Sequence, residues 1–322
     1  MAVRNKLGNG LELVKLNSVD DVFEKNNLYE KCIMCRDEME ENEFTYEHIF
    51  PRWLQKKYGL EHQTIILPNN SKMKYSKMLV PCCQICNGGI MSEWENIIKR
   101  TVEEGFDEFK KLDSKIIAWW VCKLYYSKLV KESQLRNNIK DPNSDKIIEE
   151  VVLKKYNNIY LVMSNLIKGI SYKGFNPYEL YIFRTSDPIP FDYRDDINTH
   201  TVYMKMDDII MVCSLDSYNI FSSQYEREIQ SLINSDNVHQ IQAMEIFTKM
   251  VYFRYHYGFE TSEQYILDEH GCYVQNEIQN LDQIKEFDMK ELHDLLIAVW
   301  DSAGVDVSQK KYEEGKMITL IK

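Results

Sequence analysis

Two C-x2-C pairs, Cys32–Cys35 in CIMC and Cys83–Cys86 in CQIC, and one adjacent acid and imidazole, Glu47–His48 in YEHIFPRW, carry the chemistry of this chain. Two such cysteine pairs, in a chain whose opening residues show no export pattern, read as a tetrathiolate zinc site rather than as disulfides. Four thiolates leave a tetrahedral ion no open position, so this zinc is expected to be structural and not to activate water. Cys82 directly precedes the second pair and offers a C-x3-C alternative to Cys83, so both stay candidates. The 47 residues between the pairs exceed the span of a simple zinc ribbon, and YEHIFPRW lies inside that loop.

The elements needed to position these groups follow from local pattern. Phe44, Tyr46, Ile49 and Phe50 surround Glu47–His48 with strand-like residues, and successive side chains on a strand face opposite sides. The acid and the imidazole therefore reach one site from two directions only if the chain bends, and Pro51 supplies the bend. Pinning the two knuckles makes the strand ending at His48 a neighbour of CNGGIMSEWENIIKR, in which Asn87 follows the last thiolate. SEWE (Ser92–Glu95) reads as a capping box, with Ser92 as N-cap and Glu95 reaching back, in preference to Glu95 as a further metal ligand. Trp53 and Trp94 read as core residues, and His62 as a loop histidine.

A chain of 322 residues favours two domains. Hydrophobic content of 44% and charged content of 28% are ordinary for a globular protein, and no apolar run approaches the ~20 residues needed to cross a bilayer. The N-terminal sequence lacks a basic-then-apolar leader pattern, so a cytoplasmic protein without membrane contact is expected. A net charge of −11 argues against a broad grip on nucleic acid, but the window from His48 to Arg100 carries +5. Arg52, Lys56, Lys57, Lys72, Lys74 and Lys77 are the candidate phosphate contacts within it.

CIMC, EHIFP and CQICN, in that order, resemble the HNH endonuclease family, in the subset whose ββα-metal fold is framed by two zinc knuckles; the match covers about residues 28–112. The resemblance implies a metal-dependent endonuclease acting on DNA phosphodiesters, with RNA left open. It makes His48 the general base and gives Glu47 and Asn87 to a catalytic Mg2+ or Mn2+, beside a structural Zn2+ on Cys32, Cys35, Cys83 and Cys86. Hard oxygen ligands suit magnesium or manganese. Lys77 and Met78 stand where the family commonly has an orienting asparagine. Appended domains of this kind point weakly to bacterial defence against phages. A catalytically silent zinc-binding adaptor for nucleic acid or a protein partner is the competing expectation.

The fold class expected is α+β: an N-terminal arm (1–27), a zinc-stapled ββα-metal module (28–112), and a larger α+β regulatory or recognition domain (113–322). In the last, SKIIAWWVCKLYYSKLVKE reads as a buried amphipathic helix and KIIEEVVLKKY as helix-like. YELYIFRT, THTVYMKMDD and IIMVCSL suggest an antiparallel sheet, with SDPIPFDYRDD as an intervening loop. Helices are expected near 222–234 and 238–256, then a short hairpin turning at His270–Gly271, then a helix in MKELHDLLIAVWDSAG. Cys122, Cys213 and Cys272 read as core residues. The acidity of this region, −8 beyond residue 110, argues against a broad grip on DNA unless the charges segregate, and a regulatory protein partner, a sensed ligand, a homodimer contact and restraint of the nuclease all stay open as its role.

Overall fold

The computed structural model describes residues 2–7, 10–15, 31–40, 43–268, 271–308, 310, 312–314, 316 and 318–321. It is an α+β protein that divides into two compact units: Met1–Glu103, Leu112–Ser171 and Ile266–Tyr273 form one, and Glu104–Lys111, Tyr172–Tyr265 and Val274–Lys322 the other. Among the described residues no helix is long and apolar enough to cross a membrane. Of the expected N-terminal arm, only the antiparallel strands β1 (Ala2–Leu7) and β2 (Gly10–Lys15) are described, and residues 16–27 lie outside the described set.

The first unit is built around an antiparallel pair, β3 (Phe44–His48) and β6 (Leu79–Cys83), in register Phe44↔Cys83 to His48↔Leu79. The chain leaves β3 through buried Ile49 and Phe50 and turns at Pro51 into α1 (Arg52–Tyr58), as the proline suggests. Gly59, at φ 64°, closes α1 in the left-handed conformation that glycine adopts without strain. The short strands β4 (Thr64–Ile66) and β5 (Lys72–Lys74) pair with each other before β6. After β6 come α2 (Gln84–Gly88) and α3 (Ile90–Glu104).

Next in the chain are α4 (Phe106–Phe109), which belongs to the second unit, and α5 (Ser114–Glu132), capped by the Asp113 carboxylate on the Lys115 amide. Residues 117–130 of α5 are buried on every face, so the helix is a central rod rather than an amphipathic one. It packs against α7 (Asn157–Ile167) in the same unit, so the boundary expected at residue 112 does not separate α5 from the cysteine pairs. KIIEEVVLKKY yields only a short helix, α6 (Glu150–Leu153), and a 3-10 turn; the longer helix forms in the apolar run just after it.

The second unit holds a four-stranded antiparallel sheet of order β8-β11-β10-β9, following β7 (Ser171–Lys173). Its strands are β8 (Tyr178–Arg184), β9 (Phe191–Asp196), β10 (Thr201–Met206) and β11 (Ile209–Leu215). FDYRDD, expected as loop, is the edge strand β9: all six of its residues pair with β10, and an edge tolerates its charges. Helices α8 (Ile220–Ile233) and α9 (Gln240–His256) cover one apolar face, where Phe183, Tyr203, Val212, Phe221, Ile246 and Met250 meet. The hairpin β12 (Tyr257–Asp268) and β13 (Gly271–Gln283) is longer than expected, with His270 outside the described residues. A final helix, α10 (Met289–Ser302), buries Leu292, Leu296 and Trp300. Cys122, Cys213 and Cys272 are buried, as core residues should be.

His200, in the turn before β10, couples this unit to pH. Burial and then the Arg254 charge hold its pKa down to about 3, although the Asp216 carboxylate lies 4.0 Å away. A histidine that stays neutral when folded but protonates near 6.5 when unfolded leaves stability intact above that value. That stability falls as pH drops from 6.5 toward 3, by about 1.4 kcal/mol per unit. Between pH 7 and pH 5, urea unfolding of His200→Gln is expected to show about 2 kcal/mol less loss of stability than wild type; equal losses would contradict the assignment.

Candidate metal centre and the Glu47–His48 site

The two knuckles meet at one end of the β3–β6 pair. The Ile33 amide donates to the Pro81 carbonyl at 2.9 Å, which lays the first knuckle against β6. Arg36 lies 4.5 Å over the Tyr160 ring and donates to the Tyr126 hydroxyl, while the Tyr160 hydroxyl donates to the Met34 carbonyl. The knuckle is thereby fixed to α5 and α7. Within each knuckle an amide two or three residues on faces the leading sulfur, Met34 N on Cys32 Sγ and Cys86 N on Cys83 Sγ, both at 3.4 Å.

The sulfurs of Cys32, Cys35, Cys83 and Cys86 all lie within 4.8 Å of one another, with Cys35 and Cys83 4.0 Å apart. Tetrahedral thiolates about 2.3 Å from a zinc ion sit about 3.8 Å from each other, so the donor set and its spacing fit a structural Zn2+. Cys82 stands outside this group although its sulfur is 3.7 Å from that of Cys32; it is fully buried and its sulfur also meets Met91. The cluster of four thus takes Cys83 from the second knuckle and leaves Cys82 out. S–H donation from Cys35 holds the Cys32 thiol far below its usual range, whereas the bond to Cys32 pushes the Cys35, Cys82 and Cys86 thiols up. Losing all four ligand protons together requires a compensating cation.

Glu47 and His48 leave β3 in different directions. The Glu47 carboxylate is buried and accepts from the Lys123 ammonium on α5. The same Nζ donates to Glu95 Oε1 at 2.6 Å and to the His48 backbone carbonyl at 3.0 Å. Burial would push Lys123 down, but Glu47 and then Glu95 outweigh it and raise its pKa above the ordinary lysine value. Burial pushes the Glu95 carboxyl up against the pull of Lys123. Three oxygen acceptors, two of them carboxylates, are the partners that the three N–H donors of a charged ammonium take. The capping role expected for Glu95 is not observed: α3 begins at Ile90, so Ser92 lies inside the helix and the Glu95 side chain turns inward to Lys123.

The His48 imidazole is half-buried on the other side. Burial, then Arg52, lower its pKa, with Glu47 opposing, and Arg52 Nε faces His48 Nε2 at 3.5 Å. Asn87, in α2, donates its amide to Thr45 Oγ1 at 3.0 Å, and Thr45 in turn donates to the Cys82 carbonyl. Among the described residues no hydrogen bond joins Glu47, His48 and Asn87 to one another. Arg52, Lys56, Lys57, Lys72, Lys74 and Lys77 are all exposed, on α1, β5 and the turn after it. Trp53 stacks on Trp120 and Trp94 meets Trp119 edge-on, the contacts of core residues. Exposed His62 sits in a 3-10 turn.

Lys123 is the member of this site that sequence reasoning missed; Glu95 was singled out but given the capping role in place of a site role. One signal was available: a lysine flanked on α5 by Trp119, Trp120, Leu124, Tyr125 and Tyr126 has no face on which to reach water, and a buried ammonium requires acids. No protein-family model, no curated protein and no solved structure matches this chain.

Elemental analysis of the purified chain is expected to give about one zinc per molecule. Cys83→Ser and Cys86→Ser lose both the metal and the folded first unit, while Cys82→Ala keeps the metal. Zinc retained by Cys83→Ser but lost by Cys82→Ala would reverse the ligand assignment.

Proposed function

We propose that the protein hydrolyses phosphodiester bonds of nucleic acid through a module of the HNH type, made of β3, β6 and the helices α2–α3. The four-cysteine cluster is the observation that carries this reading: it joins the two knuckles at one end of the β3–β6 pair, with the EHIFP segment beginning at the far end of β3 and Asn87 in α2 directly after β6. The strand–strand–helix order, the imidazole at the strand end and the exposed basic residues on α1 and β5 support it.

In this reading, Arg52 Nε, which donates to His48 Nε2 at 3.5 Å, moves onto the phosphate, and the freed Nε2 takes a proton from a water molecule. The oxygen attacks phosphorus, the bond to the leaving oxygen breaks, and that oxygen collects a proton from solvent. An imidazole kept neutral by burial and by Arg52 is in the form that accepts a proton at pH 7. Arg52, exposed beside it, offers its guanidinium to the phosphate oxygens, and Lys56, Lys57, Lys72, Lys74 and Lys77 supply further positive charge for the backbone.

The Mg2+ or Mn2+ implied for Glu47 and Asn87 does not fit these residues. The misfit rests on Glu47, whose carboxylate is paired with the Lys123 ammonium; Asn87 donates to Thr45 through Nδ2, which does not occupy the Oδ1 that a metal would take. No step is assigned to a divalent ion at that pair. The same ion pair favours a second reading, in which the zinc module binds nucleic acid or a protein without cutting.

Nicking of supercoiled plasmid separates the two. Wild type is expected to nick, with Mg2+, Mn2+ or no added divalent ion as parallel conditions, and His48→Ala to lose about 10²–10⁴-fold in rate. Equal cleavage by both proteins removes His48 as the base. Absence of cleavage by wild type under every condition favours the adaptor. Single-stranded DNA and RNA as substrates then define the polymer.

A further inference from the structure

We propose that Lys123 is the resident cation of the acidic pocket behind His48: its ammonium takes the seat at Glu47 that a divalent ion would need, and fixes the backbone from which the imidazole projects. The positioning half rests on the nuclease reading above, and the occupancy half does not.

An ammonium has three N–H donors, and Lys123 has three acceptors: Glu47 Oε1, Glu95 Oε1 and the His48 carbonyl. Every donor is used, so the group has none left for a substrate and acts only through what it holds. Its acceptors come from the end of β3 and from α3, while the lysine comes from α5, so one cation joins three elements at the strand end that presents His48. Two carboxylates and a carbonyl are also the oxygen ligands that a hard divalent cation takes.

The covalent tether decides the competition. A free ion must be captured from solution, whereas the ammonium is already present at a high effective concentration. Displacing it would require somewhere else to put it. The Lys123 side chain is fully buried in a helix whose neighbouring residues, Trp119, Trp120, Leu124 and Tyr126, are all within the core. An unpaired ammonium among those rings is far less stable than the paired one, so an arriving ion cannot expel it while α5 stays in place.

Mn2+ binding to the zinc-loaded full chain, followed by electron paramagnetic resonance, tests this on wild type, Glu47→Gln, Lys123→Met and the double variant. Wild type and Glu47→Gln are expected to give the same titration. Lys123→Met gains about one Mn2+ site, which the double variant loses. A wild-type site that disappears in Glu47→Gln overturns the occupancy claim, and so does a folded Lys123→Met that binds no Mn2+. The wild-type and Glu47→Gln comparison decides occupancy even where Lys123→Met does not fold.

Positioning is read in the nicking assay: Lys123→Met lowers kcat at unchanged KM, whereas a folded variant cleaving at the wild-type kcat overturns it. Should Lys123→Met not fold, Glu95→Gln, which removes one acceptor, is the variant read, with the same expectation. Where wild type does not cleave, the nuclease reading and the positioning half fail together, and the Mn2+ titrations still decide occupancy.

Discussion

Four sulfur atoms, brought together from two segments 47 residues apart, are the interaction on which the first unit depends. Closing a loop of that length costs about 4 kcal/mol of chain entropy. The small β3–β6 pair, with five residues per strand, has little apolar surface with which to offset it. Zinc binding to comparable thiolate sites releases about 10–16 kcal/mol, as much as the whole stability of an ordinary domain. A Zn2+ on the four sulfurs would therefore hold the open end of the pair, and with it the positions of Thr45, Glu47, His48 and Asn87.

A second cation works at the other end of the same hairpin. The thiolates secure Phe44–Cys83, and Lys123 secures Glu47 and the His48 carbonyl four residues along the strand. The two devices differ in kind. A Zn2+ at the first would neutralise thiolates that otherwise repel one another, whereas the ammonium is buried at a desolvation cost that only its paired acids offset. Between them they leave the imidazole as the group of the EHIFP motif turned toward Arg52 and the exposed basic residues, with its acid neighbour turned inward.

The parts that were legible in the sequence are those specified locally. Cysteine spacing gave the clasp, and Pro51 gave the exit from β3 into α1, because a C-x2-C knuckle and a proline turn each depend on a few adjacent residues. Choosing between Cys82 and Cys83 was not a local matter: it required knowing which sulfur faces the other knuckle. Lys123 was missed for the same reason, since its partner Glu47 lies 76 residues away, and Glu95 was misassigned because its partner Lys123 is equally out of local reach. SEWE matched a capping pattern that a buried ion pair then overrode. In FDYRDD, two nearby prolines and three acids concealed a strand whose edge position permits both.

Hydrogen exchange of the full chain, compared with and without prior removal of zinc by a chelator, tests the clasp most directly. Amides of β3, β6 and α2 are expected to lose protection when the metal is withdrawn, while those of β10 and β11 in the other unit keep it. Unchanged protection of β3 and β6 in the zinc-free protein would contradict it.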